Sequence, residues 1–326
     1  MNIAILGAGA WGTALARHLH SGGHVLTLWD QDTPNLLTLA VTGRNEKYLP
    51  GVELPRDLKV QISVERAWAG SDLVVLAVPS RAFREVSGAL AKFEGIAVTV
   101  TKGIERESGL TMSGILCATA PRIRAVALSG PTLALEVARG IPTAAVAASN
   151  DAAGAKLAQD LFHRPTFRVY TSTDILGVEL GGALKNVVAI AAGVCDGLGF
   201  GDNSKAALVT RGMAEIRRMG AACGAQPETF SGLSGLGDLV VTCFSRLSRN
   251  RMLGEQLGRG ERLGDLLART VSVAEGYPTA RAAWQLARQH GVSTPIIDQV
   301  HAMLYEGRNA ADALRDLLNR TSKAED

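Results

Sequence analysis

Three glycines at the head of the chain limit what it can fold into. A short, mainly apolar run, Asn2–Leu6, leads directly into Gly7-x-Gly9-x-x-Gly12, and Trp11 to Ser21 then reads as a helix. Strand, glycine turn and helix in that order open a βαβ unit of the kind that binds a dinucleotide. The first glycine permits the tight turn, the second lets backbone approach a pyrophosphate, and the third lets helix pack against strand. The helix N-terminus then offers unpaired N–H groups and partial positive charge to phosphate. A tight turn that binds nothing would show the same glycines, in a chain that holds 36 of them.

The first half continues the alternation. Strand-like runs are expected at 24–29, 73–78, 97–101, 125–128, 143–147 and 167–170, with helices between them at 82–90 and 152–162 among others. Most of these strands are continuous apolar runs without period-two alternation, as strands buried on both faces should be. Strands alternating with helices predict an α/β fold, a Rossmann-type doubly wound and mostly parallel sheet. The pattern changes near Ser172. Helical stretches follow at 174–193, 203–224, 249–257, 278–290 and 295–304, with no convincing strand. The expected organisation is therefore a dinucleotide-binding domain over residues 1–172 and an all-α, substrate-binding domain over 173–326.

Composition narrows the function. With 326 residues, 47% of them apolar, the chain can bury two cores. The net charge is only +3, and the densest basic spots, Arg217-Arg218 and Arg246 to Arg251, are short, so no nucleic-acid stripe is expected. No apolar run of membrane-spanning length stands out, and the glycines interrupt the first apolar stretch, so neither a membrane span nor a signal peptide is expected. Cys117, Cys195, Cys223 and Cys243 show no close pairing, which suggests buried thiols in a reducing cytoplasm. His18 and His20 fall on different helix faces, and no metal site is expected.

Candidate chemistry collects at strand ends, where ligands bind in open α/β sheets. Asp30 ends the second strand, the usual place of an acid that bonds the ribose hydroxyls of NAD; with Asp32 it would repel a 2′-phosphate. Two loop acids starting a turn are the alternative. Pro79-Ser80, Thr101-Lys102-Gly103 and Ser129-Gly130-Pro131-Thr132 end later strands and border the same crevice. In the second half, Gly181 and Gly182 precede Lys185 by one helical turn. Two helical glycines cost roughly 1 kcal/mol each, and they leave either space for a ligand beside Lys185 or room for close helix packing. A partly buried lysine flanked by other cations can exchange protons near neutrality. Asp238 reads as an isolated acid in a glycine-rich turn. Ser248-Arg249-Asn250-Arg251 reads as a capped helix start suited to phosphate, or as a solvated basic helix end.

Taken together, Leu128-Ser-Gly-Pro-Thr, Gly182-Ala-Leu-Lys-Asn-Val, Asp196-Gly-Leu-Gly-Phe-Gly, Leu208-Val-Thr-Arg-Gly, Gly235-Leu-Gly-Asp-Leu and Ser248-Arg-Asn-Arg resemble the bacterial-type NAD(P)-dependent glycerol-3-phosphate dehydrogenases from about Ile3 to Leu304. The resemblance implies reversible hydride transfer between dihydroxyacetone phosphate and sn-glycerol 3-phosphate, which supplies glycerophospholipid synthesis, by a cytoplasmic homodimer. It implies Lys185 as proton donor and acceptor, with Lys102 and Asp238 beside it. Substrate would be surrounded by Lys102, Gly130, Thr132, Lys185, Asp238, Ser248, Arg249 and Asn250. The cofactor, NAD or NADP, would meet Gly7, Gly9, Ala10, Trp11, Gly12, Gln31, Lys102, Ala134, Arg249, Val273 and Glu275. Two departures stand out: Ala10 replaces a frequent serine, and Asp30-Gln31-Asp32 stands where many members carry arginine or histidine, which leans toward NADH. A hydroxyacid dehydrogenase on the same plan, or a non-catalytic dinucleotide sensor, are the rival readings.

Overall fold

The computed structural model describes residues 1–269, 274–319, 321 and 324. Its N-terminal half is built on ten strands: β1 (Asn2–Leu6), β2 (Val25–Trp29), β3 (Arg44–Asn45), β4 (Leu49–Glu53), β5 (Lys59–Gln61), β6 (Leu73–Leu76), β7 (Ile96–Thr99), β8 (Arg124–Ser129), β9 (Thr143–Ala148) and β10 (Phe167–Ser172). Eight of them form one sheet in the order β10-β9-β8-β7-β6-β1-β2-β5, parallel throughout except for the β8–β9 pair. The remaining two, β3 and β4, form a separate antiparallel hairpin. The hairpin and the three-residue edge strand β5 were not expected from sequence.

Successive residues of β1 serve opposite layers. Ile3 and Ile5 face a core with Leu15, Leu19 and Phe162, while Ala4 and Leu6 face another with Phe83, Met112 and Ile115. The layers are made by α1 (Ala10–His20), α2 (Thr33–Thr42), α3 (Val64–Trp68), α4 (Phe83–Gly88), α5 (Met112–Thr119), α6 (Ala134–Ala138) and α7 (Ala152–Phe162). Burial on both faces is why these strands read as unbroken apolar runs.

After Ser172 every element among the described residues is helical. The α-helices are α8 (Ile175–Gly197), α9 (Asp202–Ala222), α10 (Asp238–Phe244), α11 (Arg249–Gly258), α12 (Leu263–Arg269), α13 (Gly276–Gln289), α14 (Pro295–Tyr305) and α15 (Ala310–Leu318), with short helical turns at Pro227–Ser231 and Leu233–Gly237. Asp174 starts α8 by accepting a hydrogen bond from the Gly177 N–H at 2.9 Å. Contrary to expectation, α8 is long and apolar enough to cross a membrane. However, 94% of its most apolar window is buried, so it is the central helix of a protein core. Leu184, Val187, Val188 and Ile190 of α8 pack there with Ile216, Leu253, Ile297 and Val300. One expected buried thiol is misplaced: Cys117 is exposed, whereas Cys195 and Cys243 are buried.

Candidate active site

The glycine turn passes a geometric test for a dinucleotide. Gly7 has φ +117°, and a Cβ there would lie 2.6 Å from the Ala77 backbone. A Cβ on Gly12 would fall 1.9 Å from the Gly7 carbonyl oxygen. Both positions are therefore closed by protein. At Gly9, by contrast, a Cβ would meet nothing within 4 Å, so open space lies over the turn where a pyrophosphate would sit. Gly9 is also the N-cap of α1 and gives it no side-chain cap, leaving N–H groups free for an anion. Ala10, Trp11 and Ala134 join one small apolar cluster at this helix start. Gln31 is exposed at the end of β2, and Val273 lies outside the described residues.

At the junction of the two halves the structure brings Lys102, Lys185 and Asp238 together. Asp238 Oδ1 accepts from Lys185 Nζ at 2.7 Å, and its Oδ2 accepts from Lys102 Nζ at 2.6 Å. Asp238 is 1% exposed and Lys185 7% exposed. The residues before Asp238, Leu233–Gly237, form a π-helical turn, and Asp238 is the first residue of α10. It is thus neither isolated nor in a loop, contrary to the sequence reading; π turns are frequent at functional sites. Lys185 also donates to Thr242 Oγ1 at 2.6 Å, and the Thr242 hydroxyl donates to the Asp238 carbonyl at 2.6 Å. Thr242 was missed in the sequence, although it stands one helical turn after Asp238, a spacing that puts both on one face. Lys102 Nζ further donates to the Gly130 carbonyl at 3.0 Å, and the Thr132 hydroxyl donates to the same oxygen at 3.1 Å.

Burial pushes the Lys185 ammonium down to about 8; Asp238 opposes that shift and the neighbouring charge of Lys102 adds to it. An ammonium has three protons to donate. Asp238 and Thr242 take two from Lys185, which leaves one for an oxygen in the cleft.

The paired glycines before Lys185 are filled by protein. A Cβ on Gly181 would lie 2.8 Å from the Ser234 carbonyl, and one on Gly182 would lie 2.8 Å from Ser129 Oγ and 3.5 Å from Lys102 Cγ. They make close packing rather than ligand space, and that packing carries Asp238 and Lys102 up to Lys185.

The second group of candidates lines the same junction. Glu275 reaches across it, accepting from the Ser80 N–H at 3.1 Å and the Ser80 hydroxyl at 2.5 Å. Burial raises its carboxyl pKa; Ser80 and Arg249 pull the other way. Arg249 is exposed to solvent, yet the protein around it lowers its guanidinium pKa, opposed by the neighbouring charge of Glu275. Arg251, by contrast, turns inward to pair with Asp196 at 2.6 Å. Ser248 caps α11 by accepting from the Arg251 N–H at 3.2 Å. Asn250 is hydrogen-bonded within the protein. Its amide donates to Asn186 Oδ1 at 2.8 Å, and its carbonyl oxygen accepts from the Gly276 N–H at 2.8 Å. It ties α8, α11 and α13 together.

Comparison with known proteins agrees along the whole chain. Residues 2–155 match the family described as NAD-dependent glycerol-3-phosphate dehydrogenase N-terminus, and residues 174–315 match its C-terminal counterpart. A glycerol-3-phosphate dehydrogenase [NAD(P)+] of Geobacter metallireducens is 48% identical over 99% of this chain and 98% of its own length. The same-named protein of Chlorobium phaeobacteroides is 47% identical over 100% of this chain and 99% of its own. The crystal structure of glycerol-3-phosphate dehydrogenase from Coxiella burnetii superposes with a TM-score of 0.94 at 37% identity, covering 98% of this chain and 99% of that one. A D-mandelate dehydrogenase structure, at 15% identity and a TM-score of 0.65, shares the fold alone.

Proposed function

The chain belongs to the NAD-dependent glycerol-3-phosphate dehydrogenase family and interconverts dihydroxyacetone phosphate and glycerol 3-phosphate with NAD(P); from the geometry of its cleft we propose which residues carry that reaction. The observation that carries the proposal is the Asp238 carboxylate held between two lysine ammoniums, 2.6 and 2.7 Å away, at the junction of the domains. When bound, the nicotinamide supplies or accepts the hydride at the substrate's C2. Negative charge develops on the C2 oxygen during reduction, and Lys185 donates its remaining proton there. Lys102 adds a second positive charge to the same developing anion. In the oxidative direction the Lys185 amine takes the hydroxyl proton, which its lowered pKa favours. Asp238 bridges the two lysines, offsetting their mutual repulsion and keeping Lys185 aimed; Thr242 fixes the angle of the Nζ.

Arg249 offers the phosphate a charged fork at the cleft mouth, aided by the N-terminus of α11. Gly130, Thr132 and Ser248 complete the substrate wall, and Asn250 supports it from behind. Gly7, Gly9, Ala10, Trp11, Gly12 and Ala134 hold the pyrophosphate side of the cofactor, and Glu275 with Ser80 flanks its nicotinamide side. Residues 1–172 serve as the dinucleotide-binding domain and 173–326 as the substrate domain. Asp30 and Asp32 at the β2 end favour NADH over NADPH. We place the enzyme in the cytoplasm as a homodimer whose product feeds glycerophospholipid synthesis. The test is oxidation of NADH and NADPH measured side by side with dihydroxyacetone phosphate and with unphosphorylated dihydroxyacetone. Comparable kcat/KM for the two ketones would overturn the phosphate site and favour a hydroxyacid-type substrate.

A further inference from the structure

The edge of the cleft beside the glycine turn carries charges that the reacting end does not use. Asp30 is locked in place: Oδ2 accepts from the Ala8 N–H at 2.5 Å and Oδ1 from the Asp32 N–H at 2.8 Å. The hairpin β3–β4 docks against the same turn, because Asn45 Nδ2 donates to the Ala8 carbonyl and to Thr13 Oγ1, both at 2.7 Å. Asn45 thereby brings Lys47 and Tyr48, in the hairpin's connection, to the end of β2. Lys47 Nζ lies 2.5 Å from Asp32 Oδ2, and Tyr48 OH donates to the same oxygen at 3.2 Å. Asp32 Oδ1 meanwhile caps α2 through the Asn35 N–H at 3.3 Å. The Lys47 side chain is 45% exposed and that of Asp32 22%.

In this fold the end of β2 faces the 2′ position of the adenosine ribose. Resting on the dinucleotide reading of the glycine turn, we propose that Lys47 decides how well this chain accepts a 2′-phosphate. Its ammonium neutralises Asp32 when the ribose carries a free diol and swings onto the phosphate when the ribose is 2′-phosphorylated. Three features support this. An ion pair with both partners reachable by water is worth little, so opening it is cheap. Asp32 keeps two other hydrogen bonds, from Tyr48 and Asn35, after Lys47 leaves. Asp30 cannot turn away without giving up Ala8, so the mobile cation is what can change the local charge. Lysine suits the task as a compact charge on a flexible stem.

Binding of NAD+ and NADP+ by calorimetry, with 5′-AMP and adenosine 2′,5′-bisphosphate as the fragment pair, tests the assignment without turnover. Lys47→Met should weaken NADP+ and the bisphosphate at least tenfold while NAD+ and AMP change less than twofold. Lys47→Arg should retain NADP+ binding, and Asp32→Asn should tighten it several-fold. Wild-type affinity for NADP+ should fall with salt more steeply than that of Lys47→Met. Equal weakening of both nucleotides in Lys47→Met would make Lys47 a hairpin support and overturn the proposal, as would no change in either. If wild type binds neither nucleotide, the dinucleotide reading itself fails, and the Lys47 assignment with it.

Discussion

Replacing Asp238 by asparagine removes one negative charge from between two ammoniums and keeps the shape of the side chain. With charge centres about 4 Å apart and an effective dielectric near 20, each pair is worth about 4 kcal/mol, which corresponds to about 3 pKa units. Asparagine keeps a dipole in place, so a fall of roughly 2–3 units is expected for Lys185, from its present value of about 8. At pH 7 the protonated, donating fraction of Lys185 would then drop roughly 10–100-fold, and kcat/KM for reduction of dihydroxyacetone phosphate with it. The assay is the pH profile of that kcat/KM between pH 5 and 9. Wild type should decline above about 8 as Lys185 loses its proton. Asp238→Asn should decline 2–3 units lower and regain rate on acidification, with NADH binding retained as the control for folding. A rate loss with an unmoved midpoint would refute the electrostatic argument and leave Asp238 an orienting role only.

Other residues give separable outcomes. Lys185→Ala should lower kcat by roughly 10²–10⁴-fold with little change in cofactor affinity; survival of kcat with a raised KM would make Lys185 a phosphate clamp. Arg249→Ala should raise KM for dihydroxyacetone phosphate strongly and leave the poor activity on dihydroxyacetone nearly unchanged, with NADH affinity measured alongside. Gly9→Val should abolish NADH binding while the melting temperature holds, whereas Gly12→Val should lose both, because only Gly12 is closed by backbone; a stable Gly12→Val that binds NADH normally would contradict the turn geometry. Burial holds the Glu215 carboxyl at about 7, against 4.5 for a free one. The folded state therefore keeps a proton that the unfolded chain loses between those values, so stability falls as pH rises through that window, by up to about 3 kcal/mol. Denaturation at pH 5 and pH 8 should show that fall in wild type relative to Glu215→Gln, and an identical pH dependence in the two would reject it.

Strands packed on both faces are the most legible in the sequence, although β10, with exposed residues along it, also reads as a strand. β1, β6 and β7 announce themselves because both faces are packed, and the glycine turn because its backbone tolerates no other residue at Gly7 and Gly12. β5 spans three residues at the sheet edge, one exposed and two half-buried, and the β3–β4 hairpin runs through Pro50 and Gly51, so neither presents a periodic apolar face. The site divides on the same ground. Lys102, Lys185 and Asp238 lie in local motifs, but their mutual contacts span 53 and 136 residues of sequence, beyond any pattern in a window. Asn250 reads in the sequence as a phosphate ligand at a capped, arginine-bearing helix start, but its contacts within the protein are not legible there. Its partner Asn186 is 64 residues away, and nothing near Asn250 in the sequence signals it.

The placement of Lys185 on α8 explains how one helix can serve both core and chemistry. A lysine buried in this largely apolar helix costs stability through desolvation, and its pKa of about 8 is the net of that cost, the opposing pull of Asp238 and the added push of Lys102. The same helix carries Glu179, two turns earlier, whose carboxylate accepts from the Ser113 N–H at 2.8 Å and hydroxyl at 2.5 Å at the start of α5. Thr111, the N-cap of α5, makes no capping bond of its own, so a residue of the helical domain completes a helix of the sheet domain. Glu179 thus pins α8 against the sheet domain, and Gly181 and Gly182 allow the approach that follows. Lys185 arrives next to Lys102 as a consequence of that docking. Its proton affinity then depends on how tightly the two domains close: loosening them admits water, reduces the desolvation of Lys185, and returns it toward ordinary lysine behaviour. For the acid–base role we propose for Lys185, domain packing and proton affinity are thus coupled through α8.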